Sequence, residues 1–152
     1  MKLRMLVIGY GNELRQDDGV GPRLARIVAG WQRPGLEGIA VHQLSPELAE
    51  RLNQADHVVF VDAGLSRDDV RLVRLEPGPA PATWGHACDP QTLLALTEDL
   101  YGVRPEAWLM EMPAACLGFG VGLSRLAEQG LQVALQHIRR LAGIEPSWTR
   151  SV

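Results

Sequence analysis

The stretch GYGNELRQDDGVG, residues 9–21, sets two adjacent carboxylates, Asp17 and Asp18, in a glycine-rich loop that follows a short apolar run, MLVI at 5–8. A glycine loop between a strand and a helix commonly cradles phosphate on bare backbone amides. This one does not fit that use. The dinucleotide fingerprint needs a glycine at position 14, where the chain has Leu14, and the triphosphate loop needs a lysine, which the chain lacks after Lys2. Two carboxylates at the mouth of the loop repel a pyrophosphate and attract a cation. The chemistry they point to is metal binding.

Two further residues extend the set. Asp62 closes the apolar run of HVVFVDAG at 57–64, and His86 stands in the loop TWGHACDPQ, which feeds a helix. In open α/β sheets ligands bind outside the carboxyl ends of the strands, so acids that directly follow strands, as Asp18 and Asp62 do, can face one crevice. Two carboxylates and one imidazole with open positions left over suit a divalent transition metal. Each residue also has a plainer use. Asp17 and Asp18 can cap a helix and complement its dipole, Asp62 can form a strand-end turn, and His86 can be an ordinary loop histidine. Their joint placement favours the metal. His42, His57 and His137 read as structural, Trp84 as packing, and Cys88 and Cys116 as thiols without function, since no seryl or thiol triad is complete.

The elements that must position these groups follow from periodicity. Continuous apolar runs at 5–8 and 58–61 predict strands buried on both faces, with another near GIAVHQL and a fifth at AWLMEM. RLVRLE alternates as a half-buried strand does, and only the short turn SRDD separates it from the preceding strand, so it can run antiparallel there. Val20, Leu24, Ile27, Val28 and Trp31 recur at helical spacing. Ser45 with Pro46 and Asp89 with Pro90 start two more helices, and a last one runs from about Ser124 to a stop at Gly143. The expected fold is α/β: a three-layer α/β/α sandwich on a mostly parallel five-stranded sheet with one strand able to run antiparallel.

A length of 152 residues suits one domain, 1–152, with a tail from about 145 expected to be loose. A net charge of −3 offers no field for a phosphate backbone, which argues against nucleic acid. Two cysteines, no signal-like segment and no long apolar run lead to the expectation of a cytoplasmic protein without a membrane span.

Three of these stretches, GYGNELRQDDGVG after the first strand, VFVDAG at the end of the third and GHACDPQTLLAL, together resemble the motifs of the [NiFe] hydrogenase maturation endopeptidases, which cut a C-terminal extension from the hydrogenase large subunit. Length, order of elements and the late GFGVGLS segment are also similar, so the likeness covers most of the chain. The resemblance implies that Asp18, Asp62 and His86 are the metal-contacting and catalytic residues, with Asp17 a lesser candidate for proton transfer or positioning. It implies a nickel-dependent endopeptidase whose partner is the large-subunit precursor. The nickel is supplied by that substrate, other divalent transition metals being able to substitute, and no separate cofactor site is implied. The chain departs from the pattern in two places: some members have glutamate where Asp18 stands, and HQLSPE at 42–47 replaces a Gly-Gly-Thr turn. Two alternatives stay open at this level: a non-catalytic nickel-docking or chaperone domain, and a nucleotide- or cofactor-binding α/β domain.

Overall fold

The computed structural model describes residues 4–65, 68–79 and 88–144. Five strands, β1 (Met5–Tyr10), β2 (Leu36–Val41), β3 (His57–Gly64), β4 (Arg71–Leu75) and β5 (Glu106–Pro113), form one sheet in the order β2-β1-β3-β5-β4. All neighbours pair in parallel except β4, which runs antiparallel to β5. The antiparallel strand is therefore real, but its neighbour is not β3. The short connection after β3 suggests a hairpin, whereas β5 inserts between the two and leaves β4 as the edge.

Alternate residues of the strands feed two cores. Met5, Val7, Val59, Val61, Met110 and Met112 pack beneath α1 (Val20–Gly30) and α4 (Arg125–Leu141). Leu6, Ile8, Val58, Phe60 and Ala107 pack beneath α2 (Ala49–Leu52) and α3 (Pro90–Tyr101) on the other face. Both faces of β1 and β3 are thus covered, which is why their sequences are unbroken apolar runs. The result is the three-layer α/β/α sandwich.

Helix starts follow local chemistry. The Asp89 carboxylate accepts from the Thr92 amide at 2.7 Å, with Pro90 in the first turn, and the Ser124 hydroxyl accepts from the Ala127 amide at 3.1 Å. Gly143, with φ +71°, lies just beyond the end of α4. Two starts differ from expectation. A 3-10 turn, Gln16–Gly19, precedes α1, whose N-cap is Gly19, and no side chain caps either element, so Asp17 and Asp18 are not its caps. Ser45 likewise makes no side-chain cap bond, and the second helix is a 3-10 turn, Pro46–Leu48, running into the four-residue α2. Among the described residues no helix is long and apolar enough to cross a membrane. The tail from 145 lies outside the described residues.

Candidate functional site

The glycine loop is shaped by close backbone contact. A Cβ on Gly9 would stand 1.8 Å from the Gly21 carbonyl oxygen, so the end of β1 and the start of α1 touch through bare backbone. Gly11, at φ +148°, would drive a Cβ to within 1.9 Å of the Asp18 carbonyl oxygen. The chain folds back tightly enough here for the Asn12 amide to donate to the Asp18 carboxylate at 2.6 Å. Glu13 and Arg26 form a paired hydrogen-bonded bridge that fastens the loop to α1. Asp18 is thereby held at the carboxyl end of the sheet.

Asp62 stands at the same edge, at the end of β3. Its Oδ1 accepts from the Ala63 amide at 2.8 Å, and Tyr10 at the end of the neighbouring strand shares its face of the sheet. Burial raises its pKa, as do the charges of Asp18 and Glu111, while the Ala63 amide and the neighbouring Tyr10 oppose the rise. The influence of Asp18 shows that the two aspartates lie within electrostatic reach of one another. Among the described residues no arginine, lysine or histidine pairs with either of them. Register explains the grouping. Gly9 pairs with Val61 and Asp62 with Glu111, so Tyr10, Asp62 and Glu111 follow one another across β1, β3 and β5 on the α3 face.

Asp17 has a different environment from its neighbour. It is fully buried, and its carboxylate accepts four hydrogen bonds: from the Ala115 amide at 2.8 Å, the Cys116 amide at 3.3 Å, the Ser124 amide at 2.7 Å and the Ser124 hydroxyl at 2.6 Å. Burial pushes its pKa up, but the Ser124 hydroxyl and the amides outweigh it and hold the carboxyl below the usual range. Of the two roles expected for Asp17, positioning is the one these contacts fit. The segment it anchors pairs with the acidic loop. Gln16 donates its amide to the Gly120 carbonyl at 3.0 Å, Gly120 donates to Leu14 at 2.9 Å, and the Arg15 Nε reaches Leu117 O at 3.0 Å. Phe119, Val121 and Leu14 project from this platform into solvent.

His86 lies outside the described residues, as does Trp84. Among the described residues no three histidine, cysteine, aspartate or glutamate side chains are grouped to hold a metal, so Asp18 and Asp62 make a pair of carboxylates and no more. Cys88 is half-buried and Cys116 exposed. Burial raises the Cys88 thiol, assisted by Asp89, which leaves it a poor nucleophile. His57 begins β3 at the opposite edge, and His137 lies on α4. His42 follows β2 and lines a cavity of about 420 Å³ beside Asn12, Leu14 and Arg26. Sequence reasoning missed Tyr10, Glu111 and the Asp17 to Ser124 link. Glu111 ends an apolar run much as Asp62 does, which is a signal that could have found it.

No protein-family model matches the chain, and no curated protein matches it. Solved structures do. The [NiFe] hydrogenase maturation protease HycI from Thermococcus kodakarensis KOD1 superposes with a TM-score of 0.73 at 18% identity, over 93% of this chain and 94% of its own. The hydrogenase 2 maturation peptidase from Thaumarchaeota archaeon SCGC_AB-539-E09 gives 0.71 at 23% identity, over 93% and 99%. The hydrogenase maturating endopeptidase HybD from E. coli gives 0.69 at 23% identity, over 94% and 96%. The chain has the α/β fold of these proteins across nearly its whole length.

Proposed function

We propose that this chain is a cytoplasmic endopeptidase that removes the C-terminal extension of a [NiFe] hydrogenase large-subunit precursor after nickel insertion. The observation that carries the reading is the pair of carboxylates, Asp18 and Asp62, near one another at one sheet edge with no cationic partner among the described residues. A pair so placed costs stability unless a positive ligand arrives. Two carboxylates bind a metal weakly alone, and an imidazole from His86 with softer ligands from the precursor completes the shell. The substrate's nickel is then what the enzyme recognises, and Asp18, Asp62 and His86 dock the precursor through it. A metal held there also supplies Lewis-acid stabilisation to a carbonyl under attack. Asp17 takes no part in bond making and sets the platform on which Asp18 stands.

The test is to incubate the purified chain with nickel-free and nickel-loaded precursor at equal concentration and to follow the mass of the large subunit. Loss of the extension from the loaded precursor alone is the expected result. Equal cleavage of both removes the nickel requirement, and metal-dependent binding without cleavage favours the docking or chaperone role. His86 must be neutral to ligate, so cleavage is expected to decline as pH falls through about 6 to 7.

A further inference from the structure

We infer that Leu14, Phe119 and Val121 form a docking surface for an apolar stretch of the nickel-loaded large-subunit precursor, set beside the Asp18 loop. The inference rests on the maturation reading above and adds to it a surface that holds the polypeptide itself, apart from its metal.

Seven large apolar residues are exposed among the described residues, and four of them, Leu14, Leu65, Phe119 and Val121, stand on the segments that leave the carboxyl ends of β1, β3 and β5. Phe119 keeps 89% of its surface in solvent, Val121 87% and Leu14 65%. Their exposure follows from how the segment is held. Polar contacts pin it instead of burial of its own side chains: the Gln16 amide donates to the Gly120 carbonyl at 3.0 Å, the Gly120 amide to Leu14 at 2.9 Å, the Gln16 side chain to the Phe119 carbonyl at 3.2 Å and the Arg15 Nε to Leu117 O at 3.0 Å. Gly120 and Gly122, at φ +147° and +103°, take backbone conformations that a side chain would strain. The Arg15 guanidinium lies 6.0 Å from the Phe119 ring centroid, so the cation of this patch is already engaged.

Large apolar side chains held outward on a hydrogen-bonded frame mark an interaction surface. Its position and size select the occupant. The Asp18 amide donates to the Arg15 carbonyl at 3.1 Å, and the bonds between Leu14 and Gly120 join that turn to the patch, so carboxylate and apolar surface belong to one backbone unit. A partner that brings a cation to Asp18 meets the same unit. Three side chains offer roughly a few hundred Å², against about 800 Å² that each partner contributes to a stable complex. A second copy of this chain, seated on the patch alone, falls short of that area. A precursor that also engages Asp18 and Asp62 through its metal adds the remainder there. With Arg15 engaged by the ring and by Leu117, the patch selects an uncharged apolar segment and not an acidic one.

The experiment uses the full-length chain as wild type, as the double variant Phe119→Ser/Val121→Ser, and as Leu100→Ser. Leu100 is 60% exposed near the end of α3, away from the patch, and controls for the loss of any exposed apolar side chain. Binding to immobilised nickel-loaded precursor and the rate at which that precursor loses its extension are measured side by side. The double variant is expected to melt with the wild type, to bind at least about 10-fold more weakly, and at saturating precursor to cleave within about 2-fold of the wild-type rate. Leu14→Ser, on the other loop of the patch, repeats the test on a different stretch of backbone. Equal binding by wild type and the patch variants, or an equal loss in Leu100→Ser, overturns the inference and leaves the maturation reading intact. A wild-type chain that neither binds nor cleaves the loaded precursor refutes the maturation reading, and this occupant with it. Dimerisation of the wild type that the double variant abolishes in sedimentation makes the occupant a second copy, which also overturns the inference.

Discussion

The two edges of the sheet carry opposite electrostatic designs. At the amino ends of the strands, His57 Nδ1 lies 3.3 Å from Glu106, Arg74 lies 3.6 Å from the same carboxylate, the His57 ring stacks on Trp108 at 5.5 Å, and the Arg74 guanidinium covers that indole at 5.1 Å. Glu106 there has both a histidine and an arginine beside it. At the carboxyl ends, Asp18 and Asp62 share a field with Glu111 nearby, and among the described residues neither aspartate has a cationic partner. A histidine, a glutamate and an arginine grouped at one edge look like chemistry in a sequence, yet they are partnered with one another. The edge where two aspartates lack a cationic partner among the described residues is the candidate for receiving something from outside.

The contrast is broken most severely by removing a carboxylate from the open edge. Asp18→Ala and Asp62→Ala are expected to lower cleavage of nickel-loaded precursor by more than about 100-fold, beyond the range typical for a group that only orients a ligand. They should do so in a chain that still folds. Because the folded-state pKa of Asp62 is raised, its protonated form is favoured by folding: this contribution is present below about pH 4 and is lost as pH rises through the folded value. Asp62→Asn is therefore expected to be as stable as wild type at neutral pH, or more so, by thermal melting. A marked loss of stability would mean that the open edge is also self-compensated.

Asp17→Asn probes the neighbour that has no such freedom. Its amide group would turn N–H toward donors that now meet carboxylate oxygens, and the expected cost is about 3 kcal/mol in urea unfolding. The sign with pH is opposite to that of Asp62. The Asp17 pKa is lowered in the fold, so its contribution is present above the unfolded carboxyl value of about 3.9 and is lost as pH falls through the folded one. The variant should show less acid-induced loss of stability than wild type, and an identical acid limb would contradict this. The smallest effect is expected at the other edge. Glu106→Gln disturbs exposed pairs and should cost no more than about 1 kcal/mol while leaving cleavage unchanged.

Much of the frame was readable from the sequence because burial on both faces leaves a local trace. The runs at 5–8 and 58–61, the Asp89 and Ser124 caps and the glycine stop at 143 are decided within a few residues. What was not readable depends on partners far away in the chain. Nothing in RLVRLE tells that β5, more than thirty residues later, will take the place beside β3. Asp17 and Asp18 are the same residue type in adjacent positions, and only the approach of Ser124, 107 residues on, separates the buried knot from the open carboxylate. Tyr10 and Glu111 join Asp62 through strand register, which periodicity alone does not supply. His86 belongs to the candidate set by its type and by the motif around it.

The Asp17 knot also sets an order of assembly. Its donors lie 98 to 107 residues downstream, so the closure they make is among the long-range contacts that form slowly and against the largest loss of chain entropy. A nascent chain leaving the ribosome can pair β1 with β2 and β3 well before residue 124 has appeared, but until then the first loop has no anchor for its buried carboxylate. The loop that carries Asp18 therefore gains this anchor only once residue 124 has been made, beyond the local bonds that fasten it to α1.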